Sequence, residues 1–561
     1  MTEIRPATMG WTRSFQRTDE DEGTAGMLGG TPDNTANWLE KSLYRFKMAG
    51  FTQPLSALDT DQLFKHAQLE SVKAWIGDPV QGALPLHARV QRAIRQLILD
   101  GVLDVGRPLP ASRALAKSLE ISRDTVESAY SQLHAEGFIE RRVGSGSFIS
   151  ERAKRLPGRG KSRQSNANSD VAPRLSQRGS AMYHNGGVRD FLKPRPFAPG
   201  VPETRCFPLQ IWERLQRQVL KEHGTQALLH SPPEGMEPLR RAIADYVSLE
   251  RGARATPERV LVLTSSQQAL TLCATVLLDA GDHIFVEDPV YHGARKAFDA
   301  AGLKCLPVPV DEDGLQVQHL LESSKTSGER PRAVFLTPSH QFPTGATLSL
   351  DRRLAIIEWA TAHQGWIIED DYDSEFHYAS KPTACVQGLD PNDRTIYIGT
   401  FTKSLFPGLR IGYMVLPAPL VAPMTAARTL LDGHSAPIPQ LTLARFIEGG
   451  HFGAHVRTMR AVYAERRDVL ARLVREHLSG FVEAKVPAGG MQMPCVFTRD
   501  VPEPEVVEAA RRAGIDLLGL TALHSSNHPR GGFLMGFAAH APHELDAAVK
   551  KLAVILRAQC S

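Results

Sequence analysis

Cysteine is scarce in this chain, and none of it lies in a CxxC motif. The six cysteines stand at positions 206, 273, 305, 385, 495 and 560. This scatter excludes a zinc ribbon and a disulfide scaffold, and it suits the reducing cytoplasm in which we expect the protein. Long apolar runs are lacking too, since no stretch reaches the roughly 18 consecutive apolar residues of a membrane helix. The first residues are polar and acidic, so we expect no secretory signal.

An excess of charge of one sign is also missing, but the charge is unevenly spread. The 561 residues carry a net charge of only +4. Residues 84–180 nevertheless hold 17 Lys and Arg against 9 Asp and Glu, while the remainder is mildly acidic. A basic segment on an acidic body indicates that one part meets a polyanion. Charge alone leaves a solvated basic linker as the alternative.

The chain has no internal repeat, and its composition changes along its length. Residues 1–40 are rich in Gly, Thr and Asp, which predicts disorder, and residues 41–83 contain helical patterns that fit no domain. We predict a partly disordered N-terminal extension at 1–83, a small basic domain at 84–150, a flexible basic linker at 151–190 and a large domain at 191–561.

Residues 84–150 show the order of elements of a winged helix-turn-helix. Val90, Ile94, Leu97 and Ile98 fall on one helix face, and Gly101 ends that helix. A short helix (SRALAKSL) and a tight turn (EIS) follow. This spacing is typical of a DNA-binding helix-turn-helix.

A second helix of this motif opens at Ser122 and is followed by a β-hairpin. Its first turn presents Ser122, Arg123 and Thr125, where a recognition helix touches bases and phosphates. The stretch GFIERRVGSGSFI predicts a hairpin whose glycine tip leaves room for a phosphate. The ordinary alternative is a three-helix module with a surface hairpin, but the complete ordered set favours a winged helix that binds double-stranded DNA.

The stretch LPASRALAKSLEISRDTVESAYSQLHAEGFIERRVGSGSFI is similar to the winged-helix domain of the GntR regulators. The resemblance implies DNA contacts at Arg107, Arg113, Arg123, Thr125 and Gly146. Glu127 stands where some members carry a basic residue.

From residue 191 onward, short apolar runs alternate with helical patterns. The predicted strands are RVLVLTS, DHIFVED, AVFLTP, GWIIEDD, TIYIGTF and GYMVLP. Each run is bounded by turn residues and is apolar on both faces. Strands that alternate with helices predict an α/β fold with a parallel or mixed sheet covered on both sides.

Two motifs near the start of this domain offer ligand contacts. In VLTSSQQAL, Ser266 and Gln267 stand where a strand gives way to a helix, and helix N-termini bind anions. In HIFVEDPVYHGA, Tyr291 follows a buried strand at the carboxyl edge of the sheet, where ligands bind in α/β folds. Taken singly, the residues before the helix are explained equally by an ordinary helix N-cap, and Tyr291 is explained equally by ordinary packing.

Two later motifs supply an acid and an amine. In GWIIEDDYD, Asp370 and Tyr372 follow a buried strand, although a surface loop would explain them equally well. In TFTKSLFPGLR, Lys403 follows a β run with Arg410 seven residues on. A lysine among apolar residues can lose its proton and attack a carbonyl. Together the four motifs describe a pocket for a phosphorylated aromatic aldehyde, which pyridoxal 5′-phosphate would satisfy.

Residues 191–555 resemble the fold-type I aminotransferase domain, and the two domains together resemble the MocR family of pyridoxal-phosphate-dependent regulators. The resemblance implies a mostly parallel sheet with helices on both faces, a small C-terminal α+β subdomain and a homodimer. It also implies that Lys403 forms the internal aldimine. The other implied cofactor contacts are Asp370 at the pyridinium nitrogen, Tyr372 at the ring phenolate, Tyr291 against the ring, and Ser266, Gln267 and Arg410 at the phosphate.

The chain departs from this pattern at three places. Phe342-Pro343-Thr344-Gly345 stands where aminotransferases have Asn-Pro-Thr-Gly. His230 replaces the tyrosine that many relatives lend to the phosphate of the partner subunit. The arginine for an effector carboxylate should lie near GGFLMGFA, where Arg530 is the candidate.

Three functions follow from these expectations. The first is a transcriptional regulator in which an amino compound displaces Lys403, forms an external aldimine and changes DNA binding. The second is a working aminotransferase with a DNA-binding appendage. The third is a pyridoxal domain that serves only to dimerise the chain. The first is the main prediction, and the sequence predicts no metal.

Overall fold

The computed structural model describes residues 60–76, 84–155, 175–188, 192–326, 330–378, 383–525 and 530–559. The predicted disorder of residues 1–40 therefore lies outside the described residues. The chain divides into two compact units, residues 1–172 and 173–561. Among the described residues, no helix is long and apolar enough to cross a membrane.

The first unit is a winged helix, as predicted. Its elements are α1 (Thr60–Ile76), α2 (Leu86–Leu99), α3 (Ser112–Leu119), α4 (Arg123–Ala135), β1 (Ile139–Arg142) and β2 (Gly146–Ile149). The turn between α3 and α4 is closed by Glu120, which adopts the left-handed conformation (φ 55°). The two strands form an antiparallel hairpin in which Ile139 faces Ile149.

The core of this unit begins before the predicted boundary at residue 84. The four predicted apolar residues of α2 are buried, and Val72 of α1 is buried in the same cluster. Tyr130 closes the core from α4 and donates to Pro110 O at 2.7 Å. Helix α1, which lies within the predicted N-terminal extension, therefore packs with the winged helix.

The second unit is built on an eight-stranded mixed sheet. Its strands are β3 (Val260–Leu263), β4 (His283–Asp288), β5 (Lys304–Asp311), β6 (Gly314–Leu315), β7 (Ala333–Leu336), β8 (Trp366–Asp371), β9 (Thr395–Thr400) and β10 (Gly412–Val415). Their order is β3-β10-β9-β8-β7-β4-β5-β6. The strands β5, β4, β7, β8 and β9 pair in parallel, and β10 runs antiparallel to both neighbours.

Helices cover both faces of this sheet. Alternate residues of a strand point to opposite sides, and both sets are apolar here, so each face needs a cover. On β7, Ala333 and Phe335 are buried in one core cluster, whereas Val334 and Leu336 are buried in another with Trp359. The helices of this unit before the small subdomain are α5 (Gln177–Asn185), α6 (Leu209–His223), α7 (Glu237–Arg251), α8 (Ser266–Val276), α9 (His292–Ala301), α10 (Val317–Thr326), α11 (Leu350–His363), α12 (Val386–Leu389), α13 (Val421–Asp432) and α14 (Pro437–Glu448). The doubly covered α/β sheet is thus confirmed.

A second, antiparallel sheet forms the small C-terminal subdomain. Its elements are α15 (His451–Leu478), β11 (Val482–Ala484), β12 (Gln492–Phe497), α16 (Glu503–Arg512), β13 (Leu518–Gly519), β14 (Gly532–Gly536) and α17 (Pro542–Gln559). The strand order is β11-β12-β14-β13. Strand β14 is buried along its whole length.

The predicted linker contains a helix that its composition did not indicate. Ser176 caps α5 by accepting from Gly179 N at 3.0 Å, and Gly186 ends the helix in the left-handed conformation. Lys296 Nζ on α9 donates to Gly187 O at 2.7 Å, which attaches this segment to the second unit.

Candidate functional site

Lys403 lies in the turn after β9, beside the backbone of a loop far away in sequence. Its Nζ donates to Gly200 O at 2.7 Å. Gly200 has a φ of +66°, and a Cβ there would stand 3.0 Å from the amine. A glycine is therefore required for this loop to approach the lysine so closely.

Asp370 carries the acid that the sequence predicted, at the end of β8. The carboxylate is buried, and its Oδ1 has no hydrogen-bond partner among the described residues. Burial first, and then the charges of Asp371 and Asp373, raise the pKa of Asp370 to about 7, against the opposing pull of Lys403. A buried acceptor without a donor is costly, so this oxygen is suited to a ligand N–H.

The protein donates hydrogen bonds to both neighbouring acids. Asp371 Oδ2 accepts from Arg251 Nε at 2.8 Å and from Tyr397 Oη at 2.7 Å. Burial alone would raise the pKa of Asp371, but Arg251 and these bonds hold it below its usual value. Glu369 accepts from two backbone N–H groups at the start of α12. Asp371 Oδ1, like Asp370 Oδ1, has no hydrogen-bond partner among the described residues, but Asp371 has an arginine as its charge partner.

Three aromatic rings form one wall near these groups. Tyr372 Oη donates to His340 O at 3.0 Å. The ring of Phe342 stands 5.3 Å from that of Tyr291 and 6.3 Å from that of Tyr372, edge to face in both pairs. Phe342 therefore connects Tyr291, which was predicted to lie against the cofactor ring, with Tyr372, which was predicted to bond the ring phenolate.

The N-terminus of α8 provides the predicted anion position. Ser265 caps the helix by accepting from Gln268 N at 3.2 Å, so Ser266 and Gln267 are its first two residues. A Cβ at Gly412 would stand 3.3 Å from Ser266 N, which means that the glycine leaves this N–H group uncrowded. Free N–H groups and the helix dipole favour an anion here.

Gln267 also joins the anion position to the aromatic wall. Its Nε2 donates to Gly293 O at 2.9 Å, and its buried Oε1 has no hydrogen-bond partner among the described residues. A Cβ at Gly293 would clash with both Tyr291 and Gln267. Arg410 lies two residues before Gly412, exposed, in the left-handed conformation (φ 53°).

Arg530 is not brought to this wall by the described contacts. It is exposed and lines a surface pocket with Phe497, Arg499 and Gly531. That pocket has none of the predicted cofactor residues in its lining. The buried strand β14 begins two residues later, so the backbone leaves Arg530 outside the strand.

His230 belongs to a cluster that sequence reasoning missed. Its Nδ1 is 2.8 Å from His434 Nε2, and Ser231 Oγ donates to Ser435 O at 3.0 Å. Arg428 is fully buried and donates to Ser435 Oγ at 2.9 Å. These residues are some 200 positions apart in sequence, so no local pattern could have grouped them.

The predicted DNA-contacting side chains lie on the surface of the winged helix. Arg107, Arg113, Ser122, Arg123 and Gly146 are exposed, and Thr125 is half-buried. Ser122 caps α4, with its Oγ accepting from Thr125 N at 3.1 Å. Arg123 is the first residue of α4, and Arg113 is the second residue of α3.

Glu127 lies among these basic residues and pairs with two of them. Its carboxylate is 3.8 Å from Arg123 Nη2 and 3.4 Å from Arg141 Nη2. Arg141 also donates to Ser131 Oγ at 2.9 Å. Such exposed pairs contribute little to stability, so the arginines can exchange Glu127 for a phosphate at small cost.

Comparison with known families agrees with this division. Residues 86–149 match the bacterial regulatory proteins of the gntR family, and residues 203–551 match aminotransferase class I and II. Together the matches cover both units described above.

Two curated regulators are similar to this chain over most of its length. The chain is 34% identical to the probable rhizopine catabolism regulatory protein MocR of Rhizobium meliloti, over 84% of this chain and 93% of that one. It is 30% identical to the pyridoxine biosynthesis transcriptional regulator PdxR of Corynebacterium glutamicum, over 81% and 92%.

A solved structure similar to the second unit holds a cofactor derivative. The α-aminoadipate aminotransferase LysN of Thermus thermophilus, complexed with N-(5′-phosphopyridoxyl)-L-leucine, superposes with a TM-score of 0.61 at 27% identity. The match covers 66% of this chain and 94% of that enzyme.

Proposed function

Since the chain belongs to the MocR family of GntR-type regulators with an aminotransferase class I and II domain, we propose that it is a DNA-binding transcriptional regulator that holds pyridoxal phosphate and responds to an amino compound. One observation carries this proposal. The same chain joins an exposed basic winged helix to a site where the charge of Lys403 acts on the buried carboxylate of Asp370, whose Oδ1 has no donor among the described residues.

The residues of the site fit pyridoxal phosphate. Asp370 Oδ1 lacks the donor that a pyridinium N–H would supply, and the Ser266 N–H lies open for a phosphate. Tyr372 would bond the phenolate oxygen, Tyr291 would cover the ring, and Gln267 and Arg410 would complete the phosphate site. The cofactor supplies an aldehyde carbon that bonds primary amines reversibly.

Lys403 would act as the exchangeable amine. It would hold the cofactor at its aldehyde carbon, and the bound cofactor would supply the carbon at which a primary amine could take the place of the lysine. No oxidant or reductant is needed. Gly200 O, which now accepts from Lys403, would hold the released amine away from the carbon.

The response would require two states of the protein with different affinity for the amine. We propose a homodimer in which exchange at Lys403 changes how the two winged helices meet an operator. The retained lysine and acid also favour a second candidate, an active aminotransferase. Turnover of an amino donor with a keto acid, in the absence of any effect on DNA binding, would support that candidate instead.

Borohydride reduction of the purified full-length chain tests the proposal. Reduction should fix the cofactor on the peptide that contains Lys403, as read by peptide mass mapping. In parallel, fluorescence anisotropy of labelled promoter DNA should change when a panel of primary amines shifts the cofactor absorbance. Absence of cofactor on that peptide would overturn the proposal.

A further inference from the structure

The aromatic wall beside the cofactor site continues into an aliphatic cluster. Phe342 is only 8% exposed and packs with Leu520, Leu523 and Leu534, which are all buried. Tyr291 and Tyr372 pack against the same cluster from the side of the site. A substituent that enters between the two tyrosines therefore meets hydrocarbon.

Strand β14, which carries Leu534, contributes no positively charged side chain to this wall. Leu534 is the central residue of β14, whose five residues are Gly, Phe, Leu, Met and Gly. Arg530, the nearest arginine before that strand, lines the separate pocket with Arg499. Phe342 stands where aminotransferases have an asparagine, so this position contributes an apolar ring and no amide.

Carboxyl groups lie near the wall at Tyr372. Burial, and then the charges of Asp373, Asp370 and Glu287, raise the pKa of Tyr372 well above its usual value. An anionic substituent placed here would lose its hydration against apolar side chains and would face these carboxyl groups. Both effects disfavour a carboxylate.

We propose, on the basis of the function proposed above, that the effector is a primary amine with an apolar substituent and no carboxylate on the carbon that bears the amino group. Phe342 and Leu534 are the residues that determine this selectivity. The same wall would place amino acids among the poor ligands.

Titration of the full-length holoprotein with matched pairs of ligands tests this inference. The pairs are 2-phenylethylamine with phenylalanine and 3-methylbutylamine with leucine, which differ only in the carboxylate. Each amine should half-saturate the change in cofactor absorbance at a concentration at least about tenfold lower than its amino acid. Equal or tighter binding of the amino acids would overturn the inference.

Two variants at one position make the test specific. Phe342→Arg supplies a cation and should reverse the order of at least one pair, whereas Phe342→Leu keeps the wall apolar and should preserve it. An unchanged order in a Phe342→Arg variant that still binds cofactor would count against the role of the wall.

The controls separate this inference from the proposed function. If the amino acids bind tightly and alter DNA anisotropy, the inference fails and the regulator remains. If cofactor is fixed on Lys403 but neither member of either pair alters the absorbance or the anisotropy, both fail.

Discussion

At the residue scale, the lysine is the sharpest prediction because the chain offers a matched control. Lys403 and Lys296 each donate from Nζ to a glycine carbonyl at 2.7 Å. We expect Lys403→Ala to abolish the visible absorbance of protein-bound cofactor, since it removes the amine that would bond the aldehyde. Lys296→Ala should keep it. Loss in both variants, or in neither, would show that Lys403 is not the attachment point.

Asp370 and Asp371 are adjacent, but their substitution should affect different properties: cofactor binding for Asp370 and stability for Asp371. Asp370→Asn removes the charge that faces the cofactor nitrogen, and a charge-assisted hydrogen bond of about 1.5–3 kcal/mol corresponds to roughly ten- to hundredfold weaker cofactor binding. Asp371→Asn leaves Arg251 buried without its charge partner, which should cost about 3–5 kcal/mol of stability. Cofactor titration and thermal unfolding of both variants measure the difference. Equal effects on both quantities would contradict these assignments.

The raised pKa of Asp370 gives the apoprotein a characteristic pH dependence. Its pKa rises from 3.8 to about 7 on folding, so the folded chain holds this proton more tightly than the unfolded chain. The free energy of unfolding should therefore fall as the pH rises from about 4 to about 7. Asp370→Asn should flatten this decline in urea titrations, while Glu287 and Glu369, whose pKa values are also raised to about 7, contribute equally in both proteins. A steeper decline of the free energy of unfolding in the variant would contradict the predicted direction of the pH dependence.

At the element scale, the sequence predicted six of the eight strands of the large sheet and missed β5 and the two-residue β6. Pro307 and Pro309 argue against a strand, yet β5 pairs with β4 on one side, and β6 reaches only Val310 and Asp311 on the other. The prolines thus need no N–H donor on that side.

The site shows the same limit of sequence-based prediction, because local motifs reveal only contacts that are close in sequence. The motifs gave Asp370 and Lys403, but Arg251 lies 120 residues from its partner Asp371.

The winged helix allows a prediction about DNA. Arg107→Ala should weaken binding to specific and random DNA alike and reduce the salt dependence by about one unit of slope, because a phosphate contact is lost. Arg123→Ala should cost about 1–3 kcal/mol at the operator and relax base preference. Arg92, exposed on α2 away from the motif, is the matched control for charge. An Arg92→Ala variant that loses as much affinity as Arg107→Ala would mean that net charge alone is measured.

At the scale of the whole molecule, the cluster around His230 is flanked by exposed leucines. Leu228 and Leu229 precede His230, and Leu430 and Leu431 lie on α13 shortly before His434. The contact between His230 and His434 brings these two pairs near each other. Grouped apolar side chains on a surface indicate an interface, whereas single ones do not. We therefore expect this surface to lie between the two subunits of the proposed homodimer.

Leu430→Asp tests the dimer, because Leu430 is 89% exposed and its replacement should not disturb the core. The variant should sediment as a monomer at micromolar concentration, while the wild type sediments as a dimer. Val554→Asp, at a site 63% exposed on α17, should remain dimeric. Because two winged helices reach two half-sites only when joined, footprints of the Leu430→Asp variant should shrink from two protected half-sites to weak protection of one. A wild-type chain that protects a single half-site would show that the winged helices act separately.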